Sequence, residues 1–121
     1  MRFIDNNDGT ITDTTAKLMW QKSGSDNRMN WVDAHEYANQ IADGGYTDWR
    51  LPTIHELFGL VDIDKAAPAT DPIFESRSTY YWSSSTYVNY PDDAWVVNFG
   101  NGDVYYGYKS NPCFVALVRG G

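Results

Sequence analysis

Residues 80–108 read YYWSSSTYVNYPDDAWVVNFGNGDVYYGY, and this stretch decides the fold class of the chain. Aromatic and β-branched residues recur in short runs here, which is typical of β-strands. Gly100–Asp103 separates two of these runs with glycine, Asn and Asp, residues that favour a hairpin turn. Continuing to the end of the chain, we predict strands over Tyr80–Ser85, Ala94–Phe99, Val104–Tyr108 and Phe114–Arg119.

Two helices are predicted upstream of these strands. The first begins after Asn30 as N-cap, has Asp33 in its first turn, and ends at Gly44 and Gly45. Its apolar face follows a 3.6-residue period over Trp31, Ala34, Tyr37, Ala38 and Ile41. Thr53 and Glu56 match a capping box at the start of the second helix. We expect this helix to run to about Val61 and to bury Ile54, Leu57, Phe58 and Val61.

The first residues of the chain predict a β-hairpin, because Arg2–Ile4 and Thr10–Thr12 flank the turn-forming cluster Asp5–Gly9. Residues 62–77 contain two prolines and no regular periodicity, and are predicted to be a long surface excursion. The order is strand, two helices, then a β-rich C-terminal half, which is an α+β layout. With 121 residues we expect a single domain over 1–121, and we expect it to be the C-terminal part of a longer chain.

The charge and composition exclude several classes of partner. Nine Lys and Arg residues stand against 16 Asp and Glu, a formal net charge of −7, so we expect no nucleic-acid partner. No apolar run approaches the roughly 18 residues of a membrane-spanning helix, so we expect no membrane insertion. The lone Cys113 rules out an internal disulfide and a multi-thiolate metal site.

No pattern of residues predicts catalysis, a metal or a cofactor. His35-Glu36 and His55-Glu56 lack the second histidine of a helical zinc motif, since Asn39 and Gly59 occupy that position. Ser83–Ser85 lacks the glycines of a nucleophile elbow, and Cys113 is better explained as a small core or edge residue. Asp5, Asn7 and Gly9 resemble a calcium loop only faintly and fit turn chemistry better. We therefore expect a protein that is not an enzyme.

The tyrosines are unevenly distributed, since seven of nine lie between residues 80 and 108 among Asn, Asp and Ser. Tyrosine mixed with short polar residues is the chemistry of an antibody-like binding surface. Strand propensity explains Tyr80 and Tyr81 equally well, but it explains 87–93 and 105–111 less well. The predicted ligand-binding residues are Tyr87, Val88, Asn89, Tyr90, Asp92, Asp103, Tyr105, Tyr106, Tyr108, Ser110 and Asn111.

A set of motifs spanning nearly the whole chain resembles a known family. The motifs are Asp8–Asp13, Leu18–Trp20, Gly44–Thr53, Glu56-Leu57, Tyr81–Ser85, Ala94-Trp95, Val97–Phe99 and Val118–Gly121. They resemble the DUF1566 family, also called the C-terminal domain family of Legionella collagen-like adhesin. The resemblance implies a C-type-lectin-like fold used in bacterial surface adhesins. Ala116-Leu117 stands where many relatives carry Arg-Cys, and the acidic charge argues against a glycosaminoglycan ligand.

The second half also resembles the variable proteins of diversity-generating retroelements, in which adenine-rich codons are rewritten around a constant frame. The resemblance implies that Trp82, Ala94, Trp95, Val97, Phe99, Val104, Lys109 and Val115 form the frame. The rewritten positions would be the predicted ligand-binding residues together with Pro112 and Cys113.

These observations lead to two hypotheses. The first is a ligand-binding domain, displayed on a cell surface or a phage particle through sequence outside this chain, that recognises a protein or a carbohydrate. The second is an oligomerisation module that caps a surface or phage fibre and uses its tyrosines as the interface of a homo-oligomer.

Overall fold

The structure is a computed structural model, and it describes residues 1–120. Two α-helices and seven strands confirm the predicted α+β class. The elements are β1 (Phe3–Asp5), β2 (Thr10–Asp13), β3 (Leu18–Gln21), α1 (Trp31–Gln40), α2 (Ile54–Phe58), β4 (Tyr80–Thr86), β5 (Asp93–Asn98), β6 (Val104–Tyr108) and β7 (Val118–Gly120), with a 3₁₀ turn at Asp43–Gly45. Neither helix has the length or apolar character needed to cross a bilayer.

The strands form two antiparallel sheets, with orders β1-β2-β3-β7 and β4-β5-β6. The predicted N-terminal hairpin is β1-β2, and the predicted Gly100–Asp103 turn joins β5 to β6. Gly102 adopts a φ of +82°, and a Cβ at this position would lie 2.8 Å from Val61 Cγ1. Glycine is therefore required in this turn for both its conformation and its lack of a side chain.

The C-terminal segment differs from the single strand predicted over Phe114–Arg119. Only Val118–Gly120 is a strand, and it pairs with β3 in the first sheet. Phe114 instead forms a bridge with Tyr81 in β4, and Cys113 forms one with Met29. Because its first part bridges to β4 and its last part pairs with β3, the segment connects the two sheets and does not belong wholly to either.

The first helix begins as predicted, but it ends at Gln40 and not at Gly44 and Gly45, because Ile41 is already extended and the glycines lie in a separate 3₁₀ turn. The Asn30 side chain accepts a hydrogen bond from Asp33 N at 2.8 Å, as expected of an N-cap. Ala34 and Ala38 are buried, and Trp31, Tyr37 and Ile41 pack partly buried beside them.

The second helix begins as predicted but ends earlier. Its capping box joins Thr53 and Glu56 in both directions, yet the helix ends at Phe58 and not near Val61. Gly59 follows at the C-cap, and Val61 is already extended and bridged to Thr70. With so short a helix only one narrow face meets the core. Leu57 is fully buried, whereas Phe58, predicted to be buried, is 47% exposed.

Residues 62–77 are irregular, as predicted, but they are not only a surface excursion. Ala69, Thr70 and Phe74 are buried, and the Phe74 ring meets Phe3 edge-on at 5.0 Å. Ala69 N also donates to Phe99 O. This segment therefore completes the core beside β1. The sequence did not predict this role, because the segment has no regular hydrophobic periodicity.

Two hydrophobic clusters lie on the two faces of the β4-β5 pair. Tyr81 and Val97 belong to one cluster, and Trp82 and Val96 belong to the other. Trp82 is fully buried, in agreement with its predicted place in the frame. Trp95 is only half-buried and belongs to neither cluster. Alternation along β5 directs Trp95 to the opposite side from Val96, at an end of the sheet that the core does not cover.

Candidate functional site

Four aromatic rings form a compact group at one end of the second sheet. This group, the tyrosine cluster, consists of Tyr87, Tyr90, Trp95 and Tyr106. Tyr87 stacks on Tyr106 with ring centroids 4.2 Å apart and on Tyr90 with centroids 5.6 Å apart. Trp95 meets the rings of Tyr87 and Tyr106 edge-on at 5.0 and 5.8 Å. Such geometries hold aromatic rings in place without enclosing them in the core.

The loop between β4 and β5 that carries Tyr87 and Tyr90 is fixed by its own backbone. Tyr90 N donates to Tyr87 O, Asp93 N donates to Tyr90 O, and Tyr87 N donates to Asp93 O. Lys109 joins this loop to its surroundings, because its Nζ donates to Thr86 Oγ1 at 3.0 Å and to Pro91 O at 2.8 Å. These hydrogen bonds hold the loop in one conformation, and Lys109 fixes it to the strand that precedes it.

Lys109 also reaches the first helix. Its Nζ lies 4.2 Å from the centroid of the Trp31 ring, which itself meets His35 edge-on at 4.3 Å. Burial, followed by the nearby charge of Lys109, lowers the pKa of His35. His35 is therefore neutral at physiological pH and acts as a packing residue at the base of this region.

The structure leaves the predicted ligand-binding residues accessible, but it divides them between two faces. Tyr87 is half-buried and all the others are exposed. Tyr106 and Tyr108 pair with Trp95 and Asp93 and share their side of the sheet, whereas Tyr105 pairs with Val96 and lies on the other side. Tyr105 meets Tyr80 edge-on at 5.7 Å and donates to Asp103 Oδ2. The eleven residues therefore do not form one continuous patch.

A cleft of about 320 Å³ lies beside the tyrosine cluster. This front cleft is lined by Tyr90, Pro91, Asp92, Asp93, Tyr106 and Tyr108. Asp93 is only 6% exposed, and its Oδ1 accepts no hydrogen bond from any residue in 1–120. A cleft with aromatic walls and an unpartnered carboxylate oxygen can accept a ligand that supplies a hydrogen-bond donor.

A second cleft of about 290 Å³ lies on the opposite face of β6. This back cleft has Tyr80 and Tyr105 at its rim, and Cys113 and Asn111 along its lining. Burial raises the pKa of the Cys113 thiol to about 11, so the thiol stays protonated at neutral pH. Cys113 packs in the core with Val115 and Leu117, as the interpretation of a small core residue predicted. Its inclusion among the rewritten surface positions is wrong, because only exposed positions can vary freely.

The other residues considered for catalysis or metal binding either have structural hydrogen-bond partners or lie on different elements of the fold. Ser83 is buried, and its hydroxyl donates to Trp95 O and accepts from Ser85 N. His35 and His55 lie on different helices. Within residues 1–120, no group of three or more His, Cys, Asp or Glu side chains could hold a metal ion.

Sequence reasoning missed three residues of this region. Tyr80, assigned to packing, is 41% exposed and borders the back cleft. Trp95, assigned to the frame, belongs to the tyrosine cluster, and Asp93 forms part of the front cleft. Alternation along β5 places Asp93 and Trp95 on one face, and that signal could have grouped them with Tyr106.

A further depression, of about 740 Å³, lies away from the tyrosine cluster. Its lining is mainly apolar and includes Met1, Phe58 and Ile63, which are all exposed. It begins at the N-terminal residues of the chain and contains none of the predicted ligand-binding residues.

Comparison with known proteins identifies the family. The family model described as the Lcl C-terminal domain matches residues 9–119, which covers every element from β2 to β6 and most of β7. No curated protein matches the chain. The match confirms the family resemblance carried by the sequence motifs, and the chain belongs to the Lcl C-terminal domain family.

Proposed function

We propose that this chain is a non-enzymatic, adhesin-type binding domain that recognises a protein or a carbohydrate through the tyrosine cluster and the polar residues around it. The family is one of surface-associated proteins, which supports display on a cell surface or a phage particle. The observation that carries the proposal is the exposed stack of Tyr87, Tyr90 and Tyr106, fixed on a frame whose core does not include them.

Physical considerations support a binding role for this surface. A stack of rings that meets solvent retains apolar area that folding has not buried, and such patches commonly mark interaction sites. Tyr90 is 59% exposed, Tyr106 48% and Tyr108 65%. Rigid tyrosines lose little conformational entropy when they bind, and the polar residues beside them can adapt their hydrogen bonds. Because the frame is packed separately, the surface can change without unfolding the domain.

The substitution Tyr106→Ala tests this function. Tyr106 contacts both Tyr87 and Trp95, so its removal should reduce affinity for a binding partner about tenfold or more. The partner would first be found by screening the domain against arrays of glycans and surface proteins. Because Tyr106 is half exposed, the free energy of unfolding should fall by less than about 1 kcal/mol.

Tyr46→Ala provides the matched control, since Tyr46 is also exposed but packs against Arg119 in another part of the fold. It should leave the affinity for the same partner unchanged. Equal binding by wild type and Tyr106→Ala, or unfolding of Tyr106→Ala, would contradict the proposed function.

We further propose that the scaffold is C-type-lectin-like and that the surface is the variable region of a diversity-generating retroelement. Rewriting would change exposed residues such as Val88 and Tyr108 while Trp82 and Val97 keep the fold. The neighbouring DNA tests this directly. A near-copy of the codons for residues 80–118 that differs only at adenines, beside a reverse-transcriptase gene, is expected. A locus without any such copy rejects this origin and leaves the binding function standing.

The alternative function, oligomerisation at the end of a fibre, is favoured by one observation. β6 is an edge strand of the second sheet, and Val104, Tyr105, Tyr106 and Tyr108 along it are all exposed. Exposed edges with apolar side chains can pair with another copy. Sedimentation of the isolated domain should show concentration-dependent association that Tyr105→Ala and Tyr106→Ala both abolish. A domain that remains a monomer at all concentrations excludes this alternative.

A further inference from the structure

We propose that the front cleft binds an arginine side chain presented by a protein ligand, with Asp93 as the partner of the guanidinium group. This inference rests on the proposed binding function and specifies the chemistry of its ligand.

Asp93 is a buried carboxylate whose Oδ1 lacks a hydrogen-bond partner among residues 1–120. Its side chain lies in the lining of the front cleft, the residue is 6% exposed, and Oδ1 has no hydrogen-bond partner within residues 1–120. A buried carboxylate without a partner is unfavourable, because it has lost water and gained no donor in exchange. Asp13, the other buried aspartate, shows the usual solution, since it accepts hydrogen bonds from Arg2, Thr15 and Ala16. A ligand that carries a hydrogen-bond donor can therefore supply the partner that Asp93 lacks.

Among residues 1–120, no Lys, Arg or His side chain forms an ion pair with the Asp93 carboxylate. The ion pairs within residues 1–120 involve Asp5, Asp13, Asp48 and Glu56, and none involves Asp93. Lys109, the cation that reaches the adjoining loop, directs its Nζ to Thr86 Oγ1 and Pro91 O. Asp92 adds a second acidic residue to the cleft, and the chain carries a net charge of −7. The local and the overall charge both favour a positively charged ligand.

The walls of the front cleft are rich in aromatic rings that suit a planar cation. Tyr90, Tyr106 and Tyr108 line the same cleft as Asp93, and a cation placed over a tyrosine ring is attracted by the ring electrons. A guanidinium is planar, so it can stack on these rings while its N–H groups reach a carboxylate in two parallel hydrogen bonds. An ammonium cannot make both contacts in the same way. The cleft therefore favours arginine over lysine.

Titration with a minimal probe tests the inference. N-acetyl-arginine amide would be added to the ¹⁵N-labelled domain, and the backbone amides of residues 90–93 and 106–108 would be followed by NMR. Binding should be weak, with a Kd on the order of a millimolar, because the probe is small. N-acetyl-citrulline amide, which has nearly the same shape without the charge, should bind about tenfold more weakly or not at all. N-acetyl-lysine amide should bind with an affinity between the two.

Asp93→Asn is the decisive variant, because it removes the charge and preserves the shape of the side chain. It should weaken binding of the arginine probe about tenfold or more. Asp64→Asn changes the net charge equally at an exposed residue that does not line the front cleft, and should change the Kd less than about twofold. If Asp93→Asn fails to fold, Tyr108→Ser is tested in its place. This variant removes one exposed aromatic ring from the wall of the cleft and should weaken binding of the arginine probe about two- to fivefold.

The outcomes separate this inference from the function on which it rests. Equal binding of the arginine and citrulline probes, or shifts confined to amides outside the cleft, overturns the arginine assignment. The same holds if Asp93→Asn and Asp64→Asn weaken binding of the arginine probe equally. A neutral disaccharide that shifts the amides of Tyr87 and Tyr106 when arginine does not would also overturn it, while supporting the binding surface. The proposed function itself is rejected by the separate Tyr106→Ala experiment, if that variant binds the partner as wild type does or if it unfolds.

Discussion

Replacement of Trp82 by alanine is expected to lower the free energy of unfolding by about 4 kcal/mol, enough to unfold much of a marginally stable domain. The Trp82 ring is fully buried among Ala34, Trp49 and Leu51, and its Nε1 donates to Met29 O at 2.8 Å. Alanine would leave a large cavity and would remove one of the two hydrogen bonds that Met29 O accepts, while Cys113 N continues to donate the other. Urea unfolding followed by far-UV circular dichroism measures the change independently of the lost fluorophore.

Trp95→Ala is the matched control, because it removes the same side chain from the neighbouring strand. Trp95 is half-buried and contacts Tyr87 and Tyr106 outside both hydrophobic clusters. Its loss should therefore lower the free energy of unfolding by only about 1–2 kcal/mol. Equal losses for the two variants, or a greater loss for Trp95→Ala, would show that the tyrosine cluster is part of the core and not a surface built on it.

The second large effect is expected at Asp13. Asp13→Asn should reduce the free energy of unfolding by about 2–3 kcal/mol. The Asp13 carboxylate is buried and accepts two hydrogen bonds from Arg2, at 2.9 and 3.1 Å, and two more from Thr15 N and Ala16 N. The amide of asparagine would present donors to a guanidinium that also donates. Arg2 is partly exposed and can recover water, which keeps the effect below that of a fully buried pair.

The contribution of the Asp13 carboxylate to stability is expected to decrease at low pH. Burial acts to raise the pKa of Asp13, but the hydrogen bonds from Arg2, Ala16 and Thr15 outweigh it and hold the pKa below the ordinary value of 3.8. A group whose pKa is depressed on folding stabilises the protein fully above its ordinary pKa and loses that contribution as the pH falls. The stability difference between wild type and Asp13→Asn should therefore be constant near neutral pH and shrink below about pH 4. Urea unfolding at a series of pH values measures it.

Asp48→Asn is the control for Asp13. Asp48 also makes a two-bond contact with an arginine, Arg119, but its side chain is 61% exposed. Water can replace that partner, so the loss should be much smaller than at Asp13. A stability difference at Asp13 that does not change with pH would contradict the assigned role of its charge.

Local sequence patterns predicted most elements of the fold, because each is determined over a few residues. The cap of α1 depends on Asn30 and Asp33, and the capping box of α2 depends on Thr53 and Glu56. The patterns failed where a distant partner decides the structure. Val61 leaves the second helix to pair with Thr70, and Phe74 enters the core from a segment without periodicity.

The sequence predicted which kinds of residue form the candidate site, but it did not predict how those residues are arranged. The enrichment of tyrosine after residue 80 correctly indicated exposed aromatic residues, as at Tyr90 and Tyr108. It did not separate Tyr105 from Tyr106, because the two faces of a strand are distinguished only by what packs against each. It also did not identify Asp93, whose significance lies in burial without a partner.

The sequence by itself determined the α+β class, the two helix starts, the family and the exposed character of the tyrosine-rich half, since these follow from local propensity, capping and composition. Tertiary structure alone decided that Trp95 belongs to the surface, that the final segment joins two sheets, and that Asp93 lies unpaired in a cleft of tyrosines. The physical reason is that burial and pairing are properties of contacts between distant residues, and no local pattern specifies which distant residues meet.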